Sequence, residues 1–412
     1  MRCEIIAVGT ELLLGQIVDT NSSWMGEQLA LAGIDSYFQT KVGDNRERMI
    51  SAIKQALDRS DAVILCGGLG PTQDDITREA IAEVMGVSLR RWPEIGERIK
   101  AMFEQRGREM SPSNLRQADV PEGATLIEEM PGTAPGLICP IGNQVVYAVP
   151  GVPHEMRTML EGTVLPDLKR RAGVTSVIKS RILRSWGYSE SGLADLLADR
   201  IEELDHLGNP TLAFQASGIE GIKVRITAKA ADAATVENIL SEEEARLRPM
   251  LGRYIFGVDS ETMEETTLAL LRERGLSLAV AETITGGLLG QRLSAVPEME
   301  KTLLGSLLAV ADSTRTKLLG LSAGPRMTPE YATSMAKGAR DLFGADVGLA
   351  AIGVPGPDEE EGHPPGTVWL GLALGDKVEA QQVKLPGDRK RVRDYSVISL
   401  LNLLRLRLVE QS

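Results

Sequence analysis

Short apolar runs alternate with longer segments of helical periodicity in the first part of the chain. Strands are predicted at residues 4–8, 34–42, 62–66 and 145–149, and helices at 21–33, 44–59 and 76–85. Asp44 with Glu47 forms the pattern of a capping box at the start of the second helix. The run at 62–66 has no polar interruption, which is typical of a strand covered on both faces in a parallel sheet. This alternation predicts a three-layer, doubly wound α/β domain at residues 1–168.

The pattern changes twice further along the chain. Within residues 174–258, apolar Ile222, Val224 and Ile226 alternate with basic and polar residues, which predicts a half-buried strand with a basic outer face in a small α+β domain. That face could contact RNA or face solvent, and the lack of interleaved aromatic residues favours solvent. At residues 261–410, strands, a glycine turn and a long final amphipathic helix predict a second three-layer α/β domain.

Composition narrows the class of protein. The 412 residues are 43% hydrophobic and 25% charged, as in a soluble protein of two or three domains. The net charge of −12 disfavours nucleic acid or an anionic membrane as the main partner. The three cysteines lie in apolar runs without CxxC spacing, and no signal-peptide pattern or membrane-spanning run occurs, so the protein is expected to be cytoplasmic.

The segment CGGLGPTQDD at residues 66–75 carries the first candidate chemistry. Gly67, Gly68 and Gly70 allow tight turns and close approaches, Pro71 stiffens the exit, and Thr72 with Asp75 resembles a capping box before the next helix. Such a loop leaves N–H groups free for a phosphate at a helix start. Glycine turns with an acidic cap also occur in α/β proteins that bind nothing there.

Two adjacent carboxylates, Asp74 and Asp75, follow the glycines. Because carboxylates alone repel phosphate, the pair predicts a divalent metal ion (Mg²⁺, Mn²⁺ or Co²⁺) between acid and phosphate oxygens.

Three further segments predict other walls of the same site. Residues after the first strand either cap the next helix or add acidic and polar groups: Thr10, Glu11, Asp19 and Asn21. Two later loops, PGTAPG and PGVPHEM, are predicted to hold phosphate or ribose through Gly132, Thr133, Ala134, Gly136, Gly151 and Glu155. Asn114 and Gln117 in SPSNLRQA could face either a ligand or solvent.

These motifs, together with TELLLGQIVDTN, GGLGPTQDDITREA and NLRQA, resemble the amino-terminal domain of the competence/damage-inducible protein A (CinA) family. That domain is similar to molybdopterin-binding domains. The resemblance implies a homodimer that hydrolyses a small nucleotide, ADP-ribose, to AMP and ribose 5-phosphate with a divalent metal. Residues 174–258 resemble the family's KH-like connector.

Residues 261–410 resemble the family's carboxy-terminal domain, a deamidase of nicotinamide mononucleotide when intact. The family motif E-S-x-T-G-G is ETITGG here, so Thr283 stands in place of the serine nucleophile. Lys317 can be matched to the lysine base, whereas the family's tyrosine has no counterpart, with Val310 or Asp312 at its place. The threonine of the family's T-G-x-A-G-P loop is replaced by Ile352. These three changes in hydroxyl chemistry predict weak or absent deamidase activity.

Three functions therefore stay open. The first is a metal-dependent pyrophosphatase with Asp74 and Asp75 on the metal and Glu11 or Asp19 assisting. The second is a nucleotide- or pterin-binding protein without catalysis. The third is a deamidase that works through Thr283 and Lys317.

Overall fold

The structure is a computed structural model that describes residues 1–410. The described chain forms two compact units. The first consists of Met1–Lys179 with Ala228–Asn238, and the second consists of Ser180–Thr227 with the chain from Ile239 onward. No helix among the described residues is both long enough and apolar enough to span a bilayer.

The amino-terminal α/β fold lies in the first unit. Its strands are β1 (Cys3–Val8), β2 (Gln39–Val42), β3 (Ala62–Cys66), β4 (Leu89–Arg91), β5 (Asp119–Pro121), β6 (Thr125–Leu126), β7 (Leu137–Ile141) and β8 (Gln144–Val149). Its helices are α1 (Thr10–Leu13), α2 (Thr20–Leu31), α3 (Arg46–Arg59), α4 (Thr77–Met85), α5 (Pro93–Gln105), α6 (Pro153–Met159) and α7 (Leu165–Ala172). A 3-10 helix spans Pro112–Ala118.

The main sheet of this fold has the strand order β2-β1-β3-β8-β7-β6. The strands β2, β1, β3 and β8 are parallel, as predicted, whereas β7 and β6 continue the sheet in antiparallel pairing. Successive side chains of β1 point to opposite faces, so Ile5 packs with Met25 of α2 and Ile6 packs with Met49 of α3. Helices therefore cover both faces, which confirms the three-layer prediction.

Two of the predicted helix caps are wrong. α4 begins at Thr77 with Ile76 as its N-cap, so the Thr72–Asp75 pair closes a turn that precedes the helix. α3 is capped by Asn45, whose side chain accepts from the N–H of Arg48 at 3.1 Å, and not by the predicted Asp44–Glu47 pair. In both cases the acidic side chain accepts hydrogen bonds from a threonine at the sheet edge instead: Asp44 from Thr10 and Asp75 from Thr72.

The middle domain contains a four-stranded sheet of order β10-β11-β9-β12. Its elements are β9 (Val177–Ser185), α8 (Glu190–Leu196), α9 (Ala198–Leu207), β10 (Thr211–Ala216), β11 (Ile222–Ala230), α10 (Ala233–Leu251) and β12 (Ile255–Val258). Val224 and Ile226 of β11 are fully buried, as the alternation predicts. Lys223, on the outer face of β11, pairs with Glu220 at 3.0 Å.

The carboxy-terminal fold has a five-stranded sheet of order β14-β13-β15-β16-β17. Its elements are α11 (Met263–Glu273), β13 (Leu278–Glu282), α12 (Leu288–Ser294), β14 (Leu303–Leu308), α13 (Asp312–Leu319), α14 (Pro329–Phe343), β15 (Val347–Gly353), β16 (Thr367–Leu374), β17 (Lys377–Lys384) and α15 (Arg389–Glu410). Leu271 of α11 and Leu404 of α15 are buried against one face, and Met335 of α14 is buried against the other. The second three-layer fold and its long final helix are thus confirmed.

Candidate functional site

A pocket of about 420 Å³ opens at the carboxyl edge of the first sheet, where β1, β3 and β8 end. Parallel strands bring their carboxyl ends to one edge, so three loops that are distant in sequence meet there. The pocket is lined by Val8, Gly9, Glu11, Asp44, Gly67, Gly68, Leu69, Gly70, Pro71, Asp74, Asp75, Gln117, Thr133, Ala134, Pro150, Gly151, Val152 and Glu155.

The carbonyl groups of the glycine loop are held by donors of the following helix. The hydroxyl of Thr77 donates to the carbonyl of Gly67 at 2.9 Å. The guanidinium of Arg78 donates to the carbonyls of Leu69 and Gly70, both at 2.7 Å. The N–H of Thr77 also donates to the carbonyl of Gly68 at 3.2 Å. Together these donors fix the orientation of four consecutive peptide groups, from Gly67–Gly68 to Gly70–Pro71.

A trans peptide group points its N–H opposite to its C=O. The N–H groups of Gly68, Leu69 and Gly70 are therefore turned away from these donors, and no other group of the described chain accepts a hydrogen bond from them. The N–H of Gly67 is different, because it donates to the carbonyl of Val149 at 3.0 Å. The loop thus offers three N–H groups for an anion and excludes Gly67, which the sequence had included.

Glycine is required at two of these positions for different reasons. A Cβ at Gly67 would lie 2.4 Å from the carbonyl oxygen of Val8, and the φ of Gly67 is 113°. A Cβ at Gly70 would lie 2.4 Å from Oδ2 of Asp75, so the missing side chain makes room for that carboxylate. The glycines therefore serve close packing as well as turn conformation.

The two adjacent carboxylates, Asp74 and Asp75, have different surroundings. Oδ2 of Asp75 accepts hydrogen bonds from the N–H of Thr72, at 2.9 Å, and from its hydroxyl, whereas Asp74 is exposed. No group of three or more His, Cys, Asp or Glu side chains that could hold a metal occurs in the described residues. Two carboxylates without a full protein cage fit Mg²⁺, which is usually bound through one or two carboxylates together with substrate phosphates and water.

Several predicted site residues support the pocket from behind and do not line it. Thr10 donates its N–H and its hydroxyl to Oδ2 of Asp44, both at 2.8 Å. Asn21 donates to the carbonyl of Gly151 at 2.8 Å and so positions that loop. Asp19 caps α2 through the N–H of Ser22, so its capping role is present and it lies outside the pocket.

The two later loops contribute unequally. Thr133, Ala134, Gly151 and Glu155 line the pocket. Gly132 lies beside the carboxylate of Glu155, because a Cβ there would be 2.1 Å from its Oε1. Gly136 belongs to the core instead, where a Cβ would meet Cδ1 of Ile127 at 2.7 Å and Sδ of Met159 at 2.8 Å.

Sequence analysis missed Asp44 and Arg78 and left Gln117 open between ligand and solvent. Gln117 is 1% exposed, lines the pocket and donates to the carbonyl of Leu69 at 3.3 Å. The signal for Arg78 was present, since a basic residue on the first turn of the helix after the glycine loop is placed to contact the carbonyls of that loop. The burial of both side chains depends on packing between segments that are distant in sequence.

A second pocket, of about 410 Å³, lies in the carboxy-terminal fold around Thr283. It is lined by Thr283, Ile284, Gly286, Leu308, Val310, Arg315, Arg326, Met327, Ile352, Gly353, Pro355, Glu360, Arg389 and Arg393. Arg315 is paired with Asp312, and Arg326 is paired with Glu360 and Glu361. Arg389 and Arg393 donate to backbone carbonyls instead, so these two arginines favour an anionic ligand. Arg393 lies against the Thr-Gly-Gly turn, where its Nη2 donates to the carbonyl of Thr285 at 3.1 Å.

The predicted pairing of Thr283 with Lys317 is not formed. The Thr283 hydroxyl donates to the carbonyl of Ala351 at 2.8 Å, and Lys317 is exposed on α13 outside the pocket lining. Arg315 lies in the pocket wall and is 2% exposed, but an arginine stays protonated and cannot act as a base. At the place of the missing tyrosine, Val310 lines the pocket while Asp312 pairs with Arg315.

Comparison with known protein families divides the chain in the order that the motifs predict. Residues 4–170 match the family described as "Probable molybdopterin binding domain". Residues 180–257 match "Damage-inducible protein CinA KH domain", and residues 260–408 match "CinA C-terminal domain".

Two relatives match over nearly the whole length of both chains. A CinA-like protein of Frankia casuarinae is 45% identical over 415 residues, covering 98% of this chain and 96% of its own length. A CinA-like protein of Gloeobacter violaceus is 41% identical, again covering 98% of this chain and 96% of its own length. The crystal structure of CinA from Thermoplasma acidophilum is 35% identical, with a TM-score of 0.38, over 41% of this chain and 99% of that one. The chain belongs to the CinA family.

Proposed function

We propose that the amino-terminal pocket binds ADP-ribose through its diphosphate and hydrolyses it to AMP and ribose 5-phosphate. The observation that carries this proposal is the row of N–H groups at Gly68, Leu69 and Gly70, whose orientation is fixed by donors behind the loop. Oriented N–H groups at a sheet edge stabilise phosphate oxygens and the charge that develops on them. Cleavage of a diphosphate needs this kind of stabilisation.

The acidic residues of the pocket supply the second requirement. Asp74 and Asp75 would hold a divalent cation, which supplies charge stabilisation at the phosphate oxygens when bound. Asp74 is exposed and has room to turn toward such an ion, while Asp75 is fixed by Thr72. The loops that carry Thr133 and Gly151 would enclose the remainder of the nucleotide. The homodimer stays a prediction.

Replacement of either Asp74 or Asp75 by alanine is expected to reduce ADP-ribose hydrolysis at least about tenfold, because each change removes a charged ligand of the proposed cation. The measurement is release of AMP, identified by mass, with Mg²⁺, Mn²⁺ and Co²⁺ tested in turn. Glu94→Ala, an acidic change on α5 outside the pocket lining, is the matched control and should keep normal turnover. Undiminished turnover in both aspartate variants would remove the proposed metal ligands.

A specific observation favours a second function in the carboxy-terminal pocket, namely binding of a phosphate monoester without deamidation. Four arginines line that pocket, and the described chain places neither a lysine nor a histidine in its lining. The hydroxyl of Thr283 is committed to a backbone carbonyl. The chemistry therefore favours recognition of an anion over activation of a nucleophile.

Nicotinamide mononucleotide is expected to bind the full-length protein in calorimetry without release of ammonia. Arg393→Met should weaken this binding about tenfold, since one charge-assisted contact to a phosphate is lost. Ammonia release that disappears in Thr283→Ala would instead establish the deamidase function.

A further inference from the structure

We infer that Glu155, seated in the gap left by Gly132, is the general base that takes a proton from the water that attacks the diphosphate. This inference rests on the proposed hydrolysis. It concerns a choice among carboxylates that the sequence leaves open, since Glu11 and Asp19 are the assisting residues expected from the sequence.

The carboxylates of the pocket differ in what they contact. Oδ2 of Asp44 is occupied by Thr10, and Oδ2 of Asp75 is occupied by Thr72. Both side chains are therefore positioned by neighbouring hydroxyl and N–H groups, and one oxygen of each carboxylate is already occupied.

The remaining acidic residues differ in their position relative to the pocket and in their exposure to solvent. Asp19 lies outside the pocket lining and pairs with Lys41 at 3.7 Å. Glu11 and Asp74 line the pocket but are exposed to solvent. Glu155 is half-buried, lines the pocket, and makes no hydrogen bond or ion pair with another side chain of the described chain. A base must keep an unoccupied oxygen for the water, and Glu155 does.

The loop that contains Gly132 leaves space for the carboxylate of Glu155, which lies on α6. A Cβ at Gly132 would lie 2.1 Å from Oε1 and 2.3 Å from Cδ of Glu155, and the three nearest atoms to it all belong to this carboxylate. Gly132 does not adopt a positive φ, so its backbone does not require glycine. We therefore attribute the glycine at residue 132 to the space that the carboxylate of Glu155 occupies.

The electrostatic surroundings make Glu155 a stronger proton acceptor than a fully exposed carboxylate. Burial raises the pKa of the Glu155 carboxyl above its usual range, and the nearby charges of His154 and Arg106 act in the opposite direction. The other charged groups of the pocket, Glu11, Asp44, Asp74 and Asp75, are all acidic. A raised pKa makes the carboxylate a stronger proton acceptor once it is deprotonated.

The step balances without a further reactant. Oε of Glu155 accepts one proton from water while the water oxygen forms a bond to one phosphorus atom. The bond between that phosphorus and the bridging oxygen breaks, and its electron pair leaves on the departing phosphate monoester. The proton on Glu155 then returns to solvent or to the departing phosphate.

The test compares kcat and KM for ADP-ribose across pH in the full-length protein. Glu155→Gln should lower kcat about 100-fold with little change in KM, because the amide keeps the shape but cannot accept the proton. In the wild type, kcat should fall as the pH drops through the pKa of Glu155, and this acid limb should disappear in the variant. Glu161→Gln, an exposed acid six positions further on, should match the wild type.

Gly132→Ala gives an independent test. The added methyl group should displace the carboxylate and lower kcat about tenfold in the wild-type background, yet have no further effect in Glu155→Gln. Multiplying losses in the double variant, or an unchanged acid limb in Glu155→Gln, would overturn the assignment while the proposed hydrolysis stands. A wild-type protein that releases no AMP with any of the three metals would overturn both.

Discussion

Replacement of Glu282 by alanine is expected to lower the free energy of unfolding of the second unit by about 4 kcal/mol. The carboxylate is fully buried at the end of β13. It accepts from the N–H groups of Leu289 and Gly290, at 3.0 and 2.8 Å, and from the hydroxyls of Thr285 and Ser306, both at 2.7 Å. Alanine leaves these buried donors without an acceptor, and each orphaned donor costs about 1–3 kcal/mol.

The measurement is calorimetric or urea unfolding of the full-length protein. Glu282→Gln should cost roughly half as much, because one amide oxygen still accepts while the NH₂ group meets donors. Glu300→Ala, an exposed acidic change in the same fold, should stay within about 0.5 kcal/mol of the wild type. A Glu282→Ala variant as stable as the control would show that water replaces the carboxylate.

The fold was predictable where hydrophobic periodicity was unbroken. The run at Ala62–Cys66 is buried along its whole length, as expected of a strand covered on both faces. The antiparallel strands β7 and β6 were not predicted, because β6 has only two residues and Pro140 interrupts the apolar run of β7. Strand direction there depends on the turn between β7 and β8, which local composition does not specify.

The loops that form the candidate site were predictable from the sequence. Which acidic side chains of these loops line the pocket was not. Glycine and proline identify turns at the end of a strand, so Gly68, Gly70 and Gly151 were found from local sequence. Asp19 and Asp44 have the same side chain and stand in similar loops, yet Asp44 lines the pocket and Asp19 caps a helix. Whether an aspartate lines the pocket or caps a helix depends on which neighbouring hydrogen-bond donors reach its carboxylate.

The carboxy-terminal pocket shows the same limit. Thr283 was placed correctly because it belongs to a short turn motif, and it lines the pocket. Lys317 was matched by its position in the sequence alone, but on α13 it is Arg315, two residues earlier, that faces the pocket. A shift of two positions turns a side chain by about 200° around a helix, so only the structure distinguishes them.

Arg78→Met is expected to reduce ADP-ribose hydrolysis about 1000-fold and to destabilise the first unit by about 3 kcal/mol. The side chain is 1% exposed, and its two donors hold the carbonyls of Leu69 and Gly70. Methionine fills similar space but supplies no donor, so the peptide groups lose their fixed orientation. The Leu69–Gly70 peptide carries the N–H of Gly70, whereas the Gly70–Pro71 peptide has no N–H, so the change releases one of the three N–H groups. A single oriented donor is worth about 100-fold to 1000-fold in related chemistry.

A lysine at the same position separates positioning from charge. Its ammonium keeps the positive charge but cannot reproduce the paired geometry of a guanidinium, so Arg78→Lys should recover less than about a tenth of the lost turnover. Arg90→Met, at an exposed position on β4, controls for loss of a cation and should leave turnover unchanged. Binding of inorganic diphosphate, measured by calorimetry, should weaken in both Arg78 variants. If Arg78→Met stays folded and hydrolyses ADP-ribose at the rate of Arg90→Met, hydrolysis does not depend on the N–H group that Arg78 orients, and the assignment of Gly70 to the diphosphate site fails.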